Sequence, residues 1–301
     1  MMTAANSHGW NGVLLTDEPM ARHTSWRVGG TADYFYQPTD IDDLAIFLNE
    51  SDPSLPLTWL GLGSNLLVRD GGIRGIVIHM LSGMKNIELL GGTLVRVEVG
   101  APSARVARFC ANNNLSGAEF LAGIPGLFGG ALSMNAGAFG DETWNIVDSV
   151  EMIDRQGYRH QRTIDDFTVG YRSVSGLENE WFVSANIRLK HGCSDESKSR
   201  LRNLLEKRNA SQPIGTSNAG SVFKNPPGDF AARLIESCGL KGAQIGSAVV
   251  SGKHANFIIN TGGSSAADIE NLIQHIQKVV AEKTGIELQT EVHIIGEAAH
   301  D

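Results

Sequence analysis

A surplus of positive charge is absent. The chain has 25 Lys and Arg against 33 Asp and Glu, a net charge of −8. This argues against nucleic acid as the main partner, because phosphate backbones call for a basic surface. An anionic small molecule held by a few local cations is not excluded. Cysteine is scarce: Cys110, Cys193 and Cys238 lie far apart, an odd number without metal-ligand spacing. They fit a reducing compartment and read as ordinary core or surface thiols. The nine histidines are scattered, so no metal site is expected. No long apolar run exists either. The nearest to one, Leu121 to Phe139, is interrupted by Pro125 and several glycines, so no membrane span is expected. The start of the chain shows no basic residues followed by an apolar stretch, so no secretory leader is expected and a cytoplasmic location is.

Glycine, by contrast, is abundant, with 35 residues and no collagen-like period. Such usage implies many tight turns and places where backbone approaches a ligand. A length of 301 residues, 42% hydrophobic and 19% charged, allows two or three domains around a sizeable core.

Along the chain, Ala32 to Gln37 reads as a strand after a Gly29-Gly30 turn, and Ile41 to Leu48 as a short helix capped by Thr39-Asp40. Pro56 to Leu60 reads as a strand running into Gly61-Leu62-Gly63-Ser64-Asn65-Leu66. Strand followed by glycine turn is a phosphate-binding context. It is not a dinucleotide fingerprint of the Rossmann kind: Leu66 occupies the place of the third glycine, and strand, turn and strand follow where a helix is needed. As a plain hairpin the turn needs no ligand. Ala104 to Asn113 reads as a helix starting at Pro102.

Gly123-Ile124-Pro125-Gly126, Gly129-Gly130 and Asn135-Ala136-Gly137 then form an apolar stretch too glycine-rich for a good helix interior. An extended backbone lying flat against a large planar ligand accounts for it, and so does a tight helix–sheet contact. Val147 to Ile153 and Trp181 to Leu189 read as strands, and Asp195 to Arg208 as a polar helix rich in Lys and Arg. Asp229 is expected to cap a helix through Cys238. Ser264-Ser265 caps the clearest helix, with Ile269, Leu272, Ile273, Ile276 and Val280 at helical spacing and Gly285 at its end. Glu287 to Ile295 reads as the last strand. Its alternation puts Glu291 on the face of Gln289 and His293, where a solvated residue is the ordinary expectation. The composition shift near His191 to Ser199 marks the expected domain boundary.

The densest chemistry lies in Asn218-Ala219-Gly220-Ser221-Val222-Phe223-Lys224-Asn225-Pro226: a hydroxyl, an ammonium and a carboxamide within five residues. If extended, Ser221 and Asn225 share one face and Lys224 takes the other. Such a group suits proton donation to a carbon next to a carboxylate. A strand end with a polar edge is the alternative that spacing leaves open.

Taken in order, these motifs, with Thr24-Ser25, Gly170-Tyr171-Arg172, Lys253-His254-Ala255-Asn256-Phe257 and Glu291-Val292, resemble the bacterial UDP-N-acetylenolpyruvoylglucosamine reductase family from about Thr24 to Gly296. The resemblance implies an α+β fold: an FAD-binding domain of the vanillyl-alcohol-oxidase (PCMH-like) type over residues 1–190, with subdomains of about 1–55 and 56–190. A smaller α+β substrate-binding domain over 195–301 would follow, its last strand packing back towards the FAD. It implies FAD as cofactor, with NADPH and UDP-N-acetylglucosamine enolpyruvate as substrates and UDP-N-acetylmuramate as product. It also implies a monomer acting on small molecules in peptidoglycan precursor synthesis.

FAD would be held by Gly61, Gly63, Ser64, Asn65 and Leu66, and by Gly123, Ile124, Pro125, Gly129, Gly130, Asn135, Ala136 and Gly137. Arg172 and Glu291 would sit at the substrate carboxylate, and Ser221 would donate the proton. Arg208, Lys224 and Asn225 would bind the substrate. Ser221 follows Arg172 by only 49 positions, and tyrosine occurs only at 34, 36, 158 and 171. The chain thus resembles the shorter class, which lacks the inserted tyrosine loop. The rival readings are a flavin oxidase of the same fold, a flavin- or nucleotide-binding protein without catalysis, and an α/β protein with coincidental glycine turns.

Overall fold

The computed structural model describes residues 9–299. The chain divides into two units. The first holds 35–61 and 77–198 with the described residues up to Leu15; the second joins 16–34 and 62–76 to the residues from Ser199 onward.

In the first unit, five antiparallel strands pair in the order Arg159–Thr163, Val147–Asp154, Glu180–Arg188, Leu94–Glu98, Ile87–Gly91. The central strand buries Phe182, Val183, Ser184 and Ala185 in succession, as a strand covered on both faces must. Helix α1, Ile41–Glu50, is capped by Asp40, whose carboxylate accepts from the Asp43 amide, and buries Leu44, Phe47 and Leu48. Helix α2, Ser103–Asn112, starts after Pro102.

The glycine-rich stretch is less extended than its composition suggests. Residues 119–123 form a 3-10 turn and Phe128–Ser133 a short helix, α3. A Cβ on Gly129 would come within 2.8 Å of Val99, so at this position glycine serves a tight helix–sheet contact.

Helix α4, Ser194–Ser211, runs across the boundary between the units. In the second unit α5, Ala231–Ser237, and α6, Ala266–Thr284, lie over one core. Ile269, Leu272, Ile273, Ile276 and Val280 of α6 pack there with Val222, Phe223, Leu234, Ile258, Leu288 and Val292, joined by Trp26 and Leu67 from far earlier in the chain. Trp26 is pinned by an indole N–H bond to the Ile258 carbonyl, 2.8 Å. Gln244–Ile245, Ala248–Val250 and Ile258–Asn260 form a small antiparallel sheet.

The expected last strand is regular only over His293–Ile295, which pairs in parallel with Leu66–Val68. Asp229 is not the cap of α5. That position is Phe230, and the Asn225 carboxamide oxygen accepts from the Ala231 amide at 3.1 Å, while Asp229 engages Arg233 and the Phe230 amide.

Candidate active site

The turn at 61–65 leads from the strand Leu57–Leu60 into the strand Leu66–Val68, with no helix after it. Gly63 holds φ at 58°, and a Cβ there would collide with the His23 carbonyl and the Thr24 backbone. The next residues, Ser64 and Asn65, are half-buried. Asn65 brackets Glu291: its carboxamide donates to the Glu291 carbonyl at 3.0 Å, and its own carbonyl accepts from the His293 amide at 3.0 Å.

Glu291 in turn borders the Ser221 segment. Its amide donates to the Val222 carbonyl at 2.8 Å, and the Lys224 amide donates to the Gln289 carbonyl at 2.9 Å. Phe223 faces Thr290 between these two bonds. The segment is therefore held against residues 289–291, although consecutive Val222 and Phe223 are both buried, which a plain alternating strand would not show. Ser221, Lys224 and Glu291 are half-buried and Asn225 is exposed. His293, although exposed, is depressed below its ordinary range by partial desolvation of its ring and then by the nearby Lys224 charge.

Arg208, on α4, is lowered by burial, and its Nε donates to Gln212 at 3.2 Å. Lys253 binds the Asn209 carbonyl through Nζ at 2.6 Å.

Arg172 belongs to the first unit, at the turn between strands Thr168–Gly170 and Ser173–Ser175. Its guanidinium donates to the Gly137 carbonyl at 3.0 Å and lies 5.1 Å from the Tyr171 ring centroid. Asn135 fixes the same neighbourhood. Fully buried, it donates to Glu142 at 2.8 Å and to the Gly170 carbonyl at 3.1 Å, and accepts from the Trp144 amide at 3.1 Å. Its carboxamide thus serves protein groups, and Ala136 and Gly137 beside it stay half-buried.

The glycine stretches suit a dinucleotide in chemistry, although the space beside Gly61, Gly123 and Gly137 is taken by Leu127, Phe139 and the Asp141 carbonyl. They present backbone in place of side chains. At exposed Gly130 no atom lies within 4 Å of where a Cβ would stand. Gly61 and Gly123 are half-buried, Ile124 is buried and Pro125 is exposed. Among the described residues no group of three or more His, Cys, Asp or Glu could hold a metal ion, and no helix is long and apolar enough to cross a membrane.

Residues 212–295 match the C-terminal domain of UDP-N-acetylenolpyruvoylglucosamine reductase, and residues 32–161 match an FAD binding domain. The UDP-N-acetylenolpyruvoylglucosamine reductase of Methylococcus capsulatus is 54% identical over 296 residues, covering 98% of this chain and 96% of that protein. The chain belongs to the UDP-N-acetylenolpyruvoylglucosamine reductase family. Membership makes it an FAD-dependent oxidoreductase with an FAD domain of the vanillyl-alcohol-oxidase type.

The crystal structure of the reductase from Thermus caldophilus superposes with a TM-score of 0.80 at 31% identity, covering 94% of this chain and 98% of that one. 6-Hydroxy-D-nicotine oxidase from Arthrobacter nicotinovorans shares the fold alone, with a TM-score of 0.57 at 11% identity over 95% of this chain and 90% of that one. One residue of the site had no assigned role in the sequence reading. Asn256 is a single amide between apolar Ala255 and Phe257, and its burial sets it apart from the other polar residues near Ser221.

Proposed function

We propose that the chain reduces UDP-N-acetylglucosamine enolpyruvate to UDP-N-acetylmuramate with NADPH, as a cytoplasmic monomer that acts on small molecules. Bound FAD would supply the hydride that NADPH provides and the vinyl carbon of the enolpyruvyl ether accepts. The neighbouring carbon, with its carboxylate, then carries enolate-like charge and needs a proton. Ser221 delivers that proton from its hydroxyl, and Lys224 steadies the alkoxide left behind. A serine is a weak acid, but an enolate is a strong enough base to take its proton.

Arg172 binds the carboxylate as a fork, its orientation fixed by the Gly137 carbonyl. Glu291 acts at the same carboxylate, protonated or through Arg172. Arg208 reaches the diphosphate, and Asn225 contacts the sugar-nucleotide. Residues 61–66 and 123–137 hold the FAD in a domain running to about residue 190, with the substrate domain from about 195.

The observation that carries this reading is the bond from the Glu291 amide to the Val222 carbonyl at 2.8 Å, which makes the acid and the hydroxyl-bearing segment direct neighbours. The test is an anaerobic visible spectrum of the purified protein. Flavin bands that bleach with NADPH and return on adding the enolpyruvyl substrate are expected. Bands that return only with oxygen would move the activity to an oxidase, and a protein that takes up no FAD would remove the assignment of both glycine stretches.

A further inference from the structure

We propose that Asn256 is a positioning residue for the Ser221 hydroxyl, an inference that rests on Ser221 being the proton donor. The residue is only 3% exposed and lies 35 positions beyond Ser221. Its carboxamide oxygen accepts from the Phe223 amide at 2.9 Å, and its carboxamide nitrogen donates to the Phe223 carbonyl at 2.8 Å. Its backbone carbonyl accepts from the Val222 amide at 2.9 Å.

The geometry of the opposite edge explains why a side chain is needed. Phe223 and Thr290 face each other between the bonds made by Val222 and Lys224, so they are the non-hydrogen-bonded pair of an antiparallel arrangement. The Phe223 amide and carbonyl must then point away from residues 289–291. They are buried, and among the described residues no strand pairs with them there. The Asn256 carboxamide, with one donor and one acceptor in a plane, meets both and stands in for that strand.

Before Ser221 the chain is anchored at Ser217, whose carbonyl accepts from the Asn260 amide at 2.9 Å, and at buried Ala219, but the residue directly preceding it is a glycine. Gly220 holds φ at 75° with no atom within 4 Å of where a Cβ would stand, and its amide donates to the nearby Asn218 side chain at 3.0 Å. The Asn256 clamp on Phe223, two residues on, is the nearest side-chain restraint on the C-terminal side of Ser221. Proton delivery tolerates little error, since a misplacement of about 1 Å can cost a factor of about 100. Losing the clamp leaves two buried backbone groups unpaired and lets the segment shift.

The test uses rapid mixing of the holoenzyme, with NADPH reduction and reoxidation by UDP-N-acetylglucosamine enolpyruvate read separately. Asn256→Leu keeps the approximate volume and removes both bonds. It should slow reoxidation by roughly 10- to 100-fold while NADPH reduction stays within about twofold. Asn256→Asp keeps the acceptor for the Phe223 amide. It regains a donor for the Phe223 carbonyl only when protonated, so its reoxidation rate relative to the parent enzyme should rise as pH is lowered. A residue that merely supports the fold would instead lower flavin content and both half-reactions together.

Wild-type reoxidation in Asn256→Leu with full flavin content would overturn the inference, and so would parallel loss of both half-reactions without acid recovery in Asn256→Asp. Ser221→Ala, run alongside, separates the two levels. If it reoxidises at the parent rate, the functional reading fails; if it is slow while Asn256→Leu is not, only the role of Asn256 fails.

Discussion

Arg172 and Asn135 hold φ at 51° and 43°, in the left-handed region that side chains other than glycine seldom occupy. Such conformations cost on the order of 1–3 kcal/mol each and persist only where surrounding contacts enforce them. Here the contacts are the Asn135 carboxamide and the Gly137 carbonyl that takes the Arg172 guanidinium. At Gly63 the same region is occupied with the backbone of His23 and Thr24 pressed against it. Gly63→Ala adds about 1–2 kcal/mol of left-handed strain to a collision with the His23 carbonyl. It should lower the unfolding temperature and strip flavin from the purified protein. Gly92, at φ 56° with nothing near it, carries the strain without the collision. Gly92→Ala should therefore be milder and keep its flavin absorbance, and equal effects of the two substitutions would deny Gly63 its packing role.

Elements with a strong local signal were legible in the sequence. Helix α6 shows its apolar stripe, its capping serine and its terminal glycine within the span itself: Ser265 and Asp268 form a reciprocal capping box, and Gly285 sits at φ 73°. Ser265→Ala should cost about 1 kcal/mol, read as a lower denaturant midpoint with an unchanged slope. Elements shaped by distant partners were not legible. The helix α3 forms where glycine permits contact with Val99, one of the two alternatives that composition left open. The last strand is shorter than its alternation suggests, because residues 289–291 turn their bonds to the Ser221 segment. Asn225 rather than Asp229 meets the start of α5, a choice set by the path of the chain after Pro226 and not by the local pattern.

Over the whole molecule, the second unit gathers three separate stretches, and no local pattern records that Leu66–Val68 pairs with His293–Ile295. The motifs that contain Ser221, Lys224 and Glu291 stand out in the sequence, but the pairing of 222–224 with 289–291 does not. Nor does the clamp on Ser221, because it depends on a pairing of edges visible only in three dimensions.

The two units also differ in how acid should act on them. In the second, burial and then Lys241 depress His254. The unfolded chain therefore binds this proton more readily, and stability falls as pH drops below about 6.5. In the first, burial opposes ionisation of Glu151, yet bonds from Arg159, Arg96 and Ser184 hold its pKa below the ordinary carboxylate range. Asp43 is likewise lowered, by the amides of Thr39, Asn11 and Gly12 and the Tyr36 hydroxyl acting against burial. Their stabilisation is present above about pH 4 and is lost as pH falls through the folded values. Hydrogen exchange followed by pH should show amides near His254 opening as pH falls below about 6.5, and those around Glu151 only below about pH 4. The reverse order would contradict these assignments.

The most direct test of the central claim is Ser221→Ala followed through both half-reactions. Flavin reduction by NADPH should be preserved, and reoxidation by the enolpyruvyl substrate should fall by a factor of roughly 100 to 10,000, the range expected for loss of a general acid. Reoxidation at the parent rate, or an equal fall in both half-reactions, would contradict the account.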